Sequence, residues 1–166
     1  MNNSLPRLCD LPQKVKYFLA AFLLVMTIGV TVGFIYVNQT TGFSGQGASD
    51  HYAGSILEDD MDIPEKYPKE FESMLLTTHT HLISFSFIFL LLGALFYMNS
   101  TITGGCKTFL MVEPFISVLG TFGSIWGIRY FSASFSVATM IFGVLTYLSF
   151  YIMVSVCIYD LLLKKD

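Results

Sequence analysis

Apolar side chains fall along this chain in long unbroken runs, and the polar ones are collected between them. The first run, Tyr17 to Val37, contains no Asp, Glu, Lys, Arg or His. Three more follow: Leu82 to Met98 (extended upstream through Leu75), Thr108 to Ile128, and Ser136 to Tyr159. A bilayer core about 30 Å thick takes about 20 such residues in a helix. Hydrocarbon offers the backbone no hydrogen-bond partner, so each run must be helical or belong to a closed barrel. Strict alternation over ten-residue segments is absent, which excludes the barrel. The pattern predicts an all-α integral membrane four-helix bundle, one domain over residues 1–166. The spans are expected at about 17–37, 76–98, 108–129 and 136–160, with a loop over 38–75.

Composition narrows the class further. Charged residues make up 13% of the chain and hydrophobic ones 54%. A soluble domain carries about a quarter charged residues. Soluble, disordered and coiled-coil readings are excluded, and so is a nucleic-acid binder, which needs a basic face. The first run is about twice a typical signal-peptide core, and no small-x-small cleavage site follows it, so it reads as a retained anchor.

Orientation follows from the positive residues. Arg7, Lys14, Lys16, Lys107, Lys164 and Lys165 lie on the side of the termini, against Lys66, Lys69 and Arg129 on the other, six to three. Both termini are therefore expected in the cytoplasm. Cys9, Cys106 and Cys157 fall at or near the same side, where thiols stay reduced. The outer loop begins Gly- and Ser-rich and then turns acidic, with Asp50, Glu58, Asp59, Asp60, Asp62, Glu65, Glu70 and Glu72. It is too short for a core of its own and is expected to lie over the bundle mouth or against a partner. Pro68 followed by two acids marks the start of the second spanning helix.

Candidate chemistry is confined to few residues. His51, His79 and His81 all lie on the outer side. With neighbouring carboxylates they are candidate ligands for a divalent metal, and His79 and His81 for haem iron, since neutral imidazole suits such ions. The bland alternative is interfacial hydrogen bonding. On a helix, positions i and i+2 point about 200° apart, so His79 and His81 cannot both face one ion. Glu72, His79, Ser86 and Gly93 repeat at seven and are small or polar, so His79 is expected inside and His81 at the rim.

Glu113 is the one charged residue inside the four apolar runs. It should face protein, and it stands on a seven-residue ladder with Cys106, Gly120 and Gly127. Proton relay is the sharp reading and a hydrogen-bonded structural carboxyl the bland one, with Tyr151 or Ser155 as expected partners. Arg129, beside Trp126 and Tyr130, is an interfacial anchor that would pin the loop through Asp59, Asp60 or Glu72. Gly29-x-x-x-Gly33 and Gly123-x-x-x-Gly127 allow close helix contacts. No phosphate loop, nucleophile elbow or His-Glu-x-x-His occurs, and an enzyme is not expected.

The segments Thr77-Thr78-His79-Thr80-His81-Leu82, Val112-Glu113-Pro114-Phe115 and Trp126-Gly127-Ile128-Arg129-Tyr130 are similar to small four-span bacterial inner-membrane proteins of unassigned role. That resemblance implies the bacterial inner membrane as the location. Three functions follow from the reading. The first is a non-catalytic subunit of a larger membrane complex, respiratory or otherwise redox-linked, in contact with the lipid bilayer and other membrane subunits. The second is an autonomous haem- or metal-binding membrane protein, and the third a small transporter or proton channel using Glu113.

Overall fold

The computed structural model describes residues 6–55 and 63–164, and every regular element among them is helical. A 3-10 turn at Leu8–Asp10 leads into α1 (Gln13–Thr41), α2 (Gly45–Ala53), α3 (Phe71–Tyr97), α4 (Gly104–Tyr130) and α5 (Phe135–Ile158). A π-helical turn, Tyr159–Leu163, continues α5. Helices α1, α3, α4 and α5 with its extension are each long and apolar enough to cross a membrane. They correspond to the four expected spans but run past them. Twenty-seven residues of α3 make a rod of about 40 Å, longer than a hydrocarbon core of about 30 Å, so the helix ends stand in the headgroup zone.

Local chemistry sets the boundaries. Gly42 closes α1 in the left-handed region, φ 58°, with its N–H donating to the Asn38 carbonyl at 2.8 Å. Ser44 then caps α2, its hydroxyl accepting from the Gly47 N–H at 2.9 Å. Helix α3 begins at Phe71 with Glu70 as its cap residue, slightly later than Pro68 marked. Gly54, φ +91°, lies against the Pro68 ring, where a β-carbon would stand 2.8 Å from Cδ.

The helices do not share the interior equally. Helices α4 and α5 form the central pair. Gly120 and Gly127 of α4 let the rings of Phe142 and Phe135 approach so closely that a β-carbon would stand 2.6 Å and 2.5 Å from them. Helix α3 packs on this pair through a stripe of large side chains: Met74, Phe89, Leu92 and Phe96 are buried, with Leu82 and Phe85 beside them. Helix α1 buries only Leu23 and Val30.

The two ends of the bundle are distinct. At one, the Leu8 N–H donates to the Met98 carbonyl at 3.1 Å, and the Leu8–Asp10 turn meets the π-helical turn. The Leu8–Asp10 turn, the end of α5 and the α3–α4 connection therefore meet there. At the other end α2 covers the mouth of α4 and α5, with Ala48 and Ser49 buried. The chain returning to α3 pairs with it: Lys69 N–H to Tyr52 O and Ser55 N–H to Lys66 O, each 3.0 Å. The sequence pattern predicts a loop over 38–75, and the structure places the helix α2 within it. One N-capping serine and docking on α4 and α5 stabilise a nine-residue helix that is short for an isolated one.

Candidate functional site

Glu113 lies on the α4 face turned to α5 and is 7% exposed. Ser117, one turn on, donates its hydroxyl to Oε1, and Ser149 of α5 donates to Oε2 at 2.5 Å. Both carboxyl oxygens are thus engaged across the α4–α5 seam. The neighbouring Pro114 is buried and has no N–H, so the Leu110 carbonyl one turn back lacks its helical donor.

The expected partners of Glu113 lie elsewhere. Tyr151 turns to α1, where its hydroxyl and Thr31 Oγ1 are 2.8 Å apart, and Ser155 is exposed. The reason is helical phase. Residues 146, 149 and 153 of α5 form its buried side, while Tyr147 and Tyr151 lie on the side of Phe34 and Thr31. The hydroxyl seam continues from Glu113 towards the α2 end. Thr121 Oγ1 donates to Ser117 O at 2.8 Å, and Thr139 Oγ1 to Ser124 Oγ at 2.8 Å.

The histidines occupy different surroundings. His79 is exposed, as are Glu72 and Ser86, and only Gly93 of their ladder is buried. The expectation of an inward His79 is overturned because α3 buries its aromatic stripe rather than its small, polar one. His81 is the histidine nearer the bundle. Its Nδ1 is 2.8 Å from Thr77 O and its ring lies 5.4 Å from that of Phe122 on α4. His51 stands on α2 with its ring edge-on to Tyr52, 4.8 Å away. Burial, and then the charges of Lys69 and Lys66, hold the His51 imidazole below its ordinary pKa of 6.5. Burial, with the Tyr36 and Tyr147 phenols nearby, pushes the Tyr52 hydroxyl up to about 12. Among the described residues no three His, Cys, Asp or Glu side chains gather closely enough to hold a metal ion. His51, His79 and His81 therefore do not form one site.

Arg129 reaches the loop through its backbone. Its Nε donates to the Lys69 carbonyl at 2.8 Å, and the guanidinium lies 5.0 Å from the Tyr130 ring centre. The contact is not with the Glu72 carboxylate, and Asp59 and Asp60 lie outside the described residues. Trp126 completes this belt, donating to Thr78 Oγ1 at 2.9 Å and stacking on Tyr130. Such rings sit at the level of lipid headgroups.

One polar centre was not anticipated. Asp160, at the end of α5, is 0% exposed. It accepts from Ser100 N–H at 2.6 Å, Ser100 Oγ at 3.0 Å and Thr101 Oγ1 at 2.5 Å, with Lys164 Nζ 3.9 Å away. A carboxylate at a helix C-terminus opposes the helix dipole and needs compensating donors. The sequence carries that signal, since Lys164 follows Asp160 by one turn. Asn99 Oδ1 accepts from Thr101 and Ile102 N–H, and Lys107 Nζ donates to Tyr97 O and Asn99 O. The α3–α4 turn is thereby clamped to the end of α5.

No curated protein and no solved structure matches the chain. A family model described as a transmembrane helical domain does match, over residues 42–166. The match opens at Gly42, the residue that closes α1, and takes in α2 and the three packed spans α3, α4 and α5. With most of its length so matched, and four helices fit to cross a bilayer, the chain is an integral membrane protein that belongs to the Aq_1264_TM family.

Proposed function

We propose that this protein is a non-catalytic subunit of a larger complex in the bacterial inner membrane, with both termini in the cytoplasm. The observation that carries the reading is the outward face of α3. Ser86 is exposed there two turns from His79 and on the same side of the helix, while Thr80 and Ser84 are exposed on a neighbouring side. Ser86 lies well inside the span, and with no partner in hydrocarbon its hydroxyl turns back to donate to the Leu82 carbonyl at 2.7 Å. Small and hydroxyl side chains on a spanning helix are what contacts with another helix use. Helix α1 supports the same reading, because Gly29 has open space beside it. The remaining surface, including Phe18, Phe87, Ile116 and Val144, is apolar and exposed, which suits lipid.

Orientation rests on which charges meet. Arg7, Lys14, Lys16, Lys107 and Lys164 gather at the end that holds Leu8, whereas Lys66, Lys69 and Arg129 gather at the end under α2. Positive charge in short segments favours the cytoplasmic side. Ser55→Cys is expected to react with an impermeant maleimide in intact cells, and Cys106, which is exposed, only after permeabilisation. Cys9 is buried and is a poor probe.

Imidazoles at a membrane interface are groups that redox partners use as ligands, so a respiratory or otherwise redox-linked complex is the specific form proposed. Purification in mild detergent is expected to yield stoichiometric partner subunits and a visible spectrum belonging to them. Ser86→Leu should reduce the partner yield while leaving the isolated chain folded. A chain that purifies alone in every mild detergent, with the wild type and Ser86→Leu alike, would refute the reading.

A further inference from the structure

Glu113 poses a problem of charge that the assembly reading does not address. A carboxyl group inside the bilayer and away from water cannot stand as a bare anion without a large cost. Two serine hydroxyls hydrogen-bond it, but they are neutral. Among the described residues no Lys, Arg or His lies within ion-pair distance of it. None of the described residues supplies the balancing positive charge.

The surroundings are rich in oxygen. Ser117 donates to one carboxyl oxygen and Ser149 to the other. Pro114 leaves the Leu110 carbonyl, one turn back on the same face, without its helical donor. All of these are hard oxygen donors, the kind that bind protons and unpolarisable metal cations in preference to soft ones. The hydroxyls of Thr121, Ser124 and Thr139 continue the polar seam from this group towards the α2 end.

We propose that Glu113, Ser117 and Ser149 form a binding site for a single monovalent cation, a proton or a sodium ion, held between α4 and α5. The inference is independent of the proposed complex: the site lies wholly within this chain, on the seam opposite the outward face of α3. Serine hydroxyls orient the carboxyl and the cation neutralises it, so the seam carries no net charge.

Infrared difference spectra between the wild type and Glu113→Gln, in lipid and in sodium or choline buffer, test this. A carboxylic-acid carbonyl band in both buffers, absent from Glu113→Gln, identifies the proton. Carboxylate bands that shift on replacing choline by sodium identify the metal ion. Glu113 carboxylate bands indifferent to sodium would show a group that binds neither, and would overturn the proposal. Should Glu113→Gln fail to fold, Ser149→Ala keeps the carboxyl and removes one hydrogen bond to Oε2. The band that this variant shifts is then the one to follow through the same buffers, with the same outcomes deciding.

Discussion

Helix α4 and helix α1 invert the rule that governs soluble proteins. Helix α1 has no charged residue between Tyr17 and its end, yet it buries two residues. Helix α4 carries Glu113, two serines, two threonines and several glycines, yet it buries ten residues, Glu113 among them. In lipid, apolar surface gains nothing by leaving an apolar solvent, so hydrophobicity does not sort inside from outside. Close approach and polar pairing do. Gly120 and Gly127 admit two phenyl rings, and Glu113 with Ser149, and Ser124 with Thr139, bond across the seam. Helix α1 has the Thr31–Tyr151 bond in their place.

The contrast breaks first, and most severely, if the seam tolerates bulk. Gly120→Leu places side-chain atoms where the Phe142 ring already sits, and is expected to cost about 3 kcal/mol, the upper end for overpacking. Unfolding in bicelles or loss of folded yield would show it, while Gly29→Leu on α1 should change little.

Next in size is Ser149→Ala, which leaves a buried carboxyl oxygen short of a donor. A loss of about 1–3 kcal/mol is expected in the same assay. Tyr151→Phe removes the bond to α1 and should cost only about 0.6 kcal/mol, the average for hydrogen bonds between spanning helices. Equal losses for Ser149→Ala and Tyr151→Phe would mean that α1 is as firmly held as the seam.

The smallest effect concerns pH and the α2 cap. His51 in the folded protein has its pKa below the ordinary 6.5, chiefly through burial. The unfolded segment therefore binds the proton more readily, and stability falls as pH drops below about 6.5. Amide exchange in α2 should quicken on mild acidification in the wild type and lose that dependence in His51→Gln.

Much of this was legible along the chain, and the failures have a common cause. The four spans follow from length and apolarity alone. The α4 ladder of Glu113, Gly120 and Gly127 marks its packed face because small and polar residues there meet α5 directly. The same logic misplaced His79. Helix α3 has a second stripe, Phe85, Phe89, Leu92 and Phe96, whose bulk packs on α4 and α5, and His79 and Ser86 are left exposed. Periodicity names two faces and does not rank them. Partner choice was equally out of reach, since Tyr151 and Ser149 differ by two residues and therefore face different neighbours. Asp160 was legible as a helix-end carboxylate ahead of Lys164. Its dependence on Ser100 and Thr101, sixty residues away, was not.

The central claim is that the outward face of α3 meets protein while most of the remaining surface meets lipid. A photo-crosslinking residue at Ser86, compared in native membranes with one at Val144 of α5, tests it most directly. The account expects a discrete adduct at Ser86 with the same subunit that co-purifies in mild detergent, and lipid adducts at Val144. Lipid adducts at both positions, with no discrete protein adduct at Ser86, would contradict it.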